Sequence, residues 1–166
     1  MHILMCNDDG ILADGLRHLA SYLSQYYRIT VVAPANEQSA KSHALTTEVP
    51  LKLDACNGED ENPRLYALTG TPSDCMKFGL SYLLTDDMPD LVISGINHGF
   101  NLGSDVLYSG TVSAAMESGF YGIPGLALSV ERYSVERGNE IHPFIHELIE
   151  KIYVAGQFSG LLNVNF

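Results

Sequence analysis

Basic residues are scarce in this sequence: nine Lys and Arg stand against twenty Asp and Glu, a formal net charge of -11. A protein that grips a nucleic-acid backbone needs clustered cations to displace its counterions, so the charge balance argues against long nucleic acid as a partner. A small anionic ligand would need a local device, such as a metal ion or a helix N-terminus, to overcome the general negative field. Cysteine is scarce too. Cys6, Cys56 and Cys75 are odd in number and widely spaced, which supports neither a disulfide framework nor a zinc knuckle and suits a reducing, cytoplasmic setting. Long apolar runs are missing: Ile3 to Cys6 is too short for a signal-peptide core, and no stretch approaches the length needed to cross a membrane. Repeats and low-complexity tracts are also absent. What is present is a chain of 166 residues, 46% hydrophobic, enough for one core, so a single domain over residues 1–166 is expected.

The run His2 to Cys6 reads as a buried strand, and Leu16, Leu19, Ala20 and Leu23 recur at helical spacing behind it, with Asp14 as an expected N-cap. Arg28 to Ala33 is a second continuous apolar strand closed by Pro34, of the kind found where helices cover both faces of a parallel sheet. "EVPLKLDA" and "RLYALTG" read as strands around the solvated acidic turn "NGEDEN". A helix then starts with Pro72 at its first position and Met76, Leu80, Leu83 and Leu84 on one face. Leu91 to Ser94 is a buried strand feeding a glycine-rich loop, "GINHGFNLGSDVLYSGT". Val112, Ala115, Met116 and Gly119 mark a further helix, "LALSV" a strand, Ile145, Leu148, Ile149 and Ile152 a helix, and "LLNVNF" a last strand. Such alternation predicts an α/β fold: a Rossmann-like, three-layer sandwich around a mostly parallel sheet.

In open α/β sheets ligands sit beyond the carboxyl ends of the strands, so the segments that follow strands are the ones to compare. They are "NDDG", "PANEQSAKS" and the glycine-rich loop, and they collect Asp8, Asp9, Ser39, Asn97, Asn101, Ser109 and Thr111. Oxygen ligands without a His or Cys cluster suit Mg²⁺ or Mn²⁺. A divalent cation would also relieve the repulsion between Asp8 and Asp9. Each element has a plainer reading: "NDDG" as a turn, Ser39 as a helix cap, Asn97 as a turn residue, and Tyr108 as a packing residue. "SGT" ahead of a helix offers backbone N–H groups and hydroxyls to a phosphate. His43 and His98 lie in the candidate loops. His2, His18, His142 and His146 have ordinary surface or packing explanations.

Together, "ILMCNDDGILADGL", "VVAPANEQSAKSHALT", "LTGTPSDCMKFGL" and "LVISGINHGFNLGSDVLYSGTVSAAMESGFYGIPGLALS" resemble the SurE family, stationary-phase survival proteins that act as 5′/3′-nucleotidases. The resemblance implies one divalent ion per subunit, Mg²⁺ or Mn²⁺, on Asp8, Asp9, Ser39 and Asn97, with Asp8 and Asp9 also catalytic. It implies a substrate held near Asn36, Gly95, Asn101, Ser109, Gly110 and Thr111. The substrates it implies are nucleoside monophosphates, with short polyphosphate for some members. Two departures stand out: Ala40 follows Ser39 where members often have glycine, and family chains run on beyond "NVNF" into a segment with an oligomerising arm. The chain is therefore expected to represent the site-bearing part of a protein that forms homodimers or homotetramers.

Two other classes remain to be weighed. A Mg²⁺-binding, receiver-like signalling module also has an acidic pair after its first strand, but it needs a phosphate-accepting Asp at the end of a central strand, where "LVISGIN" has Ser94 and Asn97. A dinucleotide-dependent oxidoreductase would carry G-x-G-x-x-G after the first strand, and none is there.

Overall fold

A computed structural model describes residues 1–154 and 158–166. The apolar run at the N-terminus forms β1 (His2–Cys6), followed by α1 (Asp14–Leu23) and β2 (Arg28–Pro34). A short hairpin-like pair, β3 (Leu53–Ala55) and β4 (Arg64–Leu68), precedes α2 (Pro72–Phe78) and a π-helical turn. Then come β5 (Leu91–His98), α3 (Gly110–Glu117), β6 (Gly125–Val130), α4 (Val135–Val154) and β7 (Leu161–Asn165). The strands lie in the order β3-β4-β2-β1-β5-β6-β7, all parallel except β3, which runs against β4.

The strands are hydrophobic throughout because both faces of the sheet are covered. Successive side chains alternate between them. Ile3 and Met5 of β1, Ile29, Val31 and Ala33 of β2, and Leu91 and Ile93 of β5 pack with Leu16, Leu19 and Leu23 of α1 and Ile145 and Ile149 of α4. Leu4, Cys6, Val32 and Val92 face the other way, onto Cys75 and Met76 of α2, Leu80 and Ala114 of α3. This is the three-layer arrangement expected from the alternation.

The chain builds outward from β1 to β2 and β4 on one side, then returns to add β5, β6 and β7 on the other. The loops that follow β1 and β5 therefore part in opposite directions and leave a crevice between them. Such a topological switch point is where open α/β sheets bind ligands.

Four local expectations need correction. Asp14 is the first residue of α1 and Ala13 is its N-cap, with no side-chain cap bond; a carboxylate in the first turn still suits the helix dipole. Only Leu53–Ala55 of "EVPLKLDA" is strand. Met116 is exposed, because α3 turns Val112, Ala114 and Ala115 inward. The strand read as ending at Ser94 runs on to His98, with a register shift against β6 between Ser94 and Asn97. That irregularity re-aims the end of β5 at the crevice.

Candidate active site

The acidic pair sits in a turn closed by its own flanks. Asn7 Oδ1 accepts from the Gly10 N–H at 3.1 Å, and Asn7 Nδ2 donates to the Gly10 carbonyl at 3.1 Å. Gly10 has φ +101°, a conformation glycine adopts without steric cost. The loop after β2 fastens this turn: the Gln38 N–H donates to the Asp8 carbonyl at 2.7 Å, and the Ile11 N–H to Pro34 at 2.8 Å. Asn7 and Gly10 thus account for the turn. Asp8 and Asp9 contribute no side-chain bond to its closure.

Asp8 is 5% exposed, and its Oδ1 accepts from the Thr111 hydroxyl. Burial raises its pKa, while the hydroxyl and backbone of Thr111 favour the charged form. For Asp9, burial and then the neighbouring charge of Asp8 push the pKa up to about 6, against a hydrogen bond from the His98 backbone. Among the described residues no Lys or Arg pairs with either carboxylate. A buried acid and a half-buried one side by side without a counterion make a site short of positive charge.

Opposite the pair stands the start of α3. Ser109 is its N-cap, with Oγ accepting from the Val112 N–H at 3.1 Å. The N–H groups of Gly110 and Thr111 have no acceptor within the helix. Asp8 and α3 touch at Gly110, where a Cβ would lie 2.9 Å from the Asp8 Cβ.

Ser39 is exposed and donates to Glu37 Oε1 at 2.7 Å. Asn97 donates Nδ2 to the Gly99 carbonyl at 2.7 Å, which leaves Oδ1 as its unpaired acceptor. Among the described residues no three His, Cys, Asp or Glu side chains converge as a metal cluster. A cation on the acidic pair would accordingly complete its shell with neutral oxygens, and the lone pairs of Ser39 and Asn97 are of that kind.

The other expected site residues differ in character. Asn36 is exposed in the loop after β2. Gly95 lies inside β5 at φ +130°, where a Cβ would come within 2.3 Å of the Leu128 carbonyl. Asn101 is buried and works as a clasp: Nδ2 donates to Ser129 Oγ at 2.9 Å, its N–H donates to Asn165 Oδ1 at 2.9 Å, and its carbonyl accepts from Asn163 at 2.8 Å. These contacts join the glycine-rich loop to β6 and β7. The loop after β2 is fastened as well, through His43 to the buried Glu117 and through Ser42 to the Leu107 carbonyl at 2.8 Å.

Beside the pair lies a cavity of about 440 Å³ walled by Asp9, Glu37, Ser39, Ile96, His98 and Tyr133. Glu37 and Tyr133 were not singled out from the sequence. Tyr133 follows β6, so the rule that favours segments beyond strand ends reaches it, but one aromatic residue in a loop carries no motif.

Thr111→Val keeps the shape of the side chain and removes the hydroxyl from Asp8. A divalent cation held on the acidic pair would then bind more weakly by about 1–3 kcal/mol in calorimetry, with Thr111→Ser close to the unaltered protein. Unchanged affinity in Thr111→Val would mean that Asp8 does not depend on this bond.

The fold and the crevice define a class: a doubly wound α/β domain with an acidic pair and a helix N-terminus meeting at the switch point. The profile of the family described as Survival protein SurE matches residues 3–166, and the chain belongs to that family. The 5′-nucleotidase SurE of Thermoanaerobacter sp. strain X514 is 49% identical over 166 residues, covering 99% of this chain and 65% of that protein. Its counterpart in Thermosipho africanus is 45% identical over 170 residues, with 99% and 64% covered. The crystal structure of the SurE protein from Aquifex aeolicus superposes with a TM-score of 0.81 at 35% identity, covering 99% of this chain and 66% of that one. The chain thus spans about two thirds of the length of these relatives. No helix among the described residues is long and apolar enough to cross a membrane. Where a receiver would carry its phosphate-accepting Asp, β5 has a buried Ser94.

Proposed function

We propose that the domain hydrolyses phosphate monoesters, nucleoside 5′- and 3′-monophosphates foremost and short polyphosphate after them, with one Mg²⁺ or Mn²⁺ on Asp8, Asp9, Ser39 and Asn97. One observation carries the reading: an uncompensated acidic pair faces a helix N-terminus across the switch point. The pair calls for a cation and the N-terminus for an anion. A phosphate ester bound with a divalent ion satisfies both. The relatives from Thermoanaerobacter and Thermosipho, named 5′-nucleotidases, support the same class of substrate.

When bound, the cation would supply Lewis acidity to the phosphoryl group and positive charge to the acidic pair. The chain's own groups do the rest. Asp9 borders the cavity and is the carboxylate placed to take a proton from attacking water, whereas Asp8 is committed to Thr111. The start of α3, from Ser109 through Gly110 to Thr111, would hold phosphate oxygens as charge moves onto the leaving group. Asn36 stands at the open rim, and Gly95 and Asn101 would act by keeping the end of β5 and the loop behind it in place. A homodimer or homotetramer in the cytoplasm is the working form this reading expects.

The deciding assay is a panel of nucleoside 5′- and 3′-monophosphates, polyphosphate and a chromogenic phosphate ester with Mg²⁺, Mn²⁺ or chelator. Turnover that needs the metal supports the proposal; none with any ester sinks it. Binding of the ion has its own signature. Because Asp9 titrates near 6 in the metal-free protein, protons compete with the cation below that pH. Affinity should weaken by up to about tenfold per unit as pH falls through 6 and level off above about 7. A flat profile from pH 5 to 8 would remove Asp9 from the ligand set.

A further inference from the structure

Glu117 closes α3 and is 4% exposed, yet the reaction proposed above gives it no part. A carboxylate buried at the negative end of a helix dipole is costly on both counts. Its partner is His43 of the loop after β2, whose Nε2 meets Glu117 Oε1. A ring nitrogen facing a carboxylate carries the proton, so His43 donates this bond whether its ring is neutral or charged. The fold thus keeps a buried acid to hold one residue of a loop.

That loop carries Ser39. Between Ser39 and His43 the chain takes two conformations that residues with a Cβ resist: Ala40 has φ +56° and Ser42 φ +54°. Neither is glycine, so the surroundings must impose the path. Upstream, the Gln38 N–H is tied to the Asp8 carbonyl. Downstream, the Ser42 N–H donates to the Tyr108 carbonyl at 3.1 Å and its hydroxyl to the Leu107 carbonyl at 2.8 Å, both in the segment ahead of α3. His43 is the member of this set that reaches α3 itself.

The other end of α3 holds Thr111, which bonds Asp8. One rigid helix, with about 9 Å between the two residues along its axis, is therefore clamped to Asp8 at its start and to the Ser39 loop at its end. We propose that His43 and Glu117 are a positioning pair that sets Ser39 against the acidic pair through α3. The inference rests on the phosphomonoesterase reading above, which makes Ser39 a metal ligand.

The experiment compares His43→Ala with His43→Gln, whose amide nitrogen can stand where the imidazole Nε2 stood. In the metal-free protein the backbone amide signals of Ser39 and Ala40 are followed by NMR; they should shift and broaden in His43→Ala and return in His43→Gln. Mn²⁺ alone is then titrated by calorimetry. His43→Ala should bind it about tenfold more weakly, the low end of the loss on removing a group that orients a metal ligand, and His43→Gln should stay within about twofold of the unaltered protein. Made on top of Ser39→Ala, the same His43→Ala change should cost nothing further, because its effect runs through Ser39. Unchanged Mn²⁺ affinity in His43→Ala overturns the proposal, as does an equal loss in both backgrounds, since a purely structural contact acts regardless of Ser39. Unaltered Ser39 and Ala40 signals in His43→Ala overturn it too. Should the unpaired Glu117 unfold His43→Ala, combining it with Glu117→Gln removes the buried charge together with the bond, and the same comparisons apply. If the unaltered protein binds no Mn²⁺, or binds it and turns over no ester, the phosphomonoesterase reading fails, and the metal-free NMR arm still decides whether His43 places Ser39.

Discussion

Asp9→Asn should lower turnover by on the order of 10²–10³-fold, the scale of losing one principal electrostatic group, and at the same time raise the melting temperature of the metal-free protein at pH 7.5. The two effects share a cause. The folded pKa of Asp9 is about 6 against an ordinary value of 3.8, so between these pH values the folded state binds more protons than the unfolded one. Stability therefore falls as pH rises through that window, and the penalty is complete above about 6. A shift of about two units corresponds to nearly 3 kcal/mol, but Asp9 is only partly buried, and solvent screening reduces the gain to about 1–2 kcal/mol. For a chain of this size that is a rise of roughly 3–6 °C. Below about pH 4 the two proteins should converge. Asp8→Asn should cost as much turnover but gain less stability, because the Thr111 hydroxyl already favours the Asp8 charge. A variant of either residue with native turnover at saturating metal would remove that carboxylate from the site. A lower melting temperature for metal-free Asp9→Asn would show that the acid serves the fold.

The combination of lost activity and gained stability marks side chains placed for a ligand. It was legible in the sequence only as a tension: two carboxylates together at the end of a buried strand. Local rules account for Asn7 and Gly10, which make a turn, and for the strand itself. They could not show that Asp8 meets Thr111, because the contact spans 103 positions and depends on α3 packing against the end of β1. The end of β5 was hidden for a related reason. "GIN" reads as loop because glycine weakens a strand locally, yet pairing with β6 carries Asn97 opposite Ser129 and His98 opposite Val130. Tertiary pairing outweighed propensity there. The start of α2 shows the opposite case: Pro72 at the first helical position marks it in the sequence, and in the structure Thr71 caps it with Asp74 in a reciprocal capping box. The wall of the cavity lies between these extremes. Asp9, Glu37 and Tyr133 follow β1, β2 and β6, whereas Ile96 and His98 belong to the end of β5; the wall is thus drawn from four separate parts of the chain, and no periodicity links them.

Gly110→Ala should separate the geometry of the site from the stability of the fold. A Cβ at this position would lie 2.9 Å from the Asp8 Cβ, 3.1 Å from Asp8 Oδ2 and 3.2 Å from Pro72 Cγ. Asp8 cannot yield freely, since its carbonyl accepts from Gln38 and its carboxylate from Thr111. Pro72 is fixed at the capped start of α2. Either the first turn of α3 or the Asp8 side chain must move by a few tenths of an ångström or more. Overpacking of this kind costs about 1–3 kcal/mol, and the better helix propensity of alanine offsets up to about 1 kcal/mol of it. The melting temperature should therefore drop by only a few degrees. Turnover should fall much further, by roughly 30–100-fold, because a displacement approaching 1 Å between reacting groups can cost about 10²-fold. Gly119→Ala is the control: nothing lies within 4 Å of a Cβ there, and its activity should be unchanged. If Gly110→Ala turned over like the unaltered protein, the close approach of α3 to Asp8 would be a packing feature alone, and the phosphate would have to be held elsewhere.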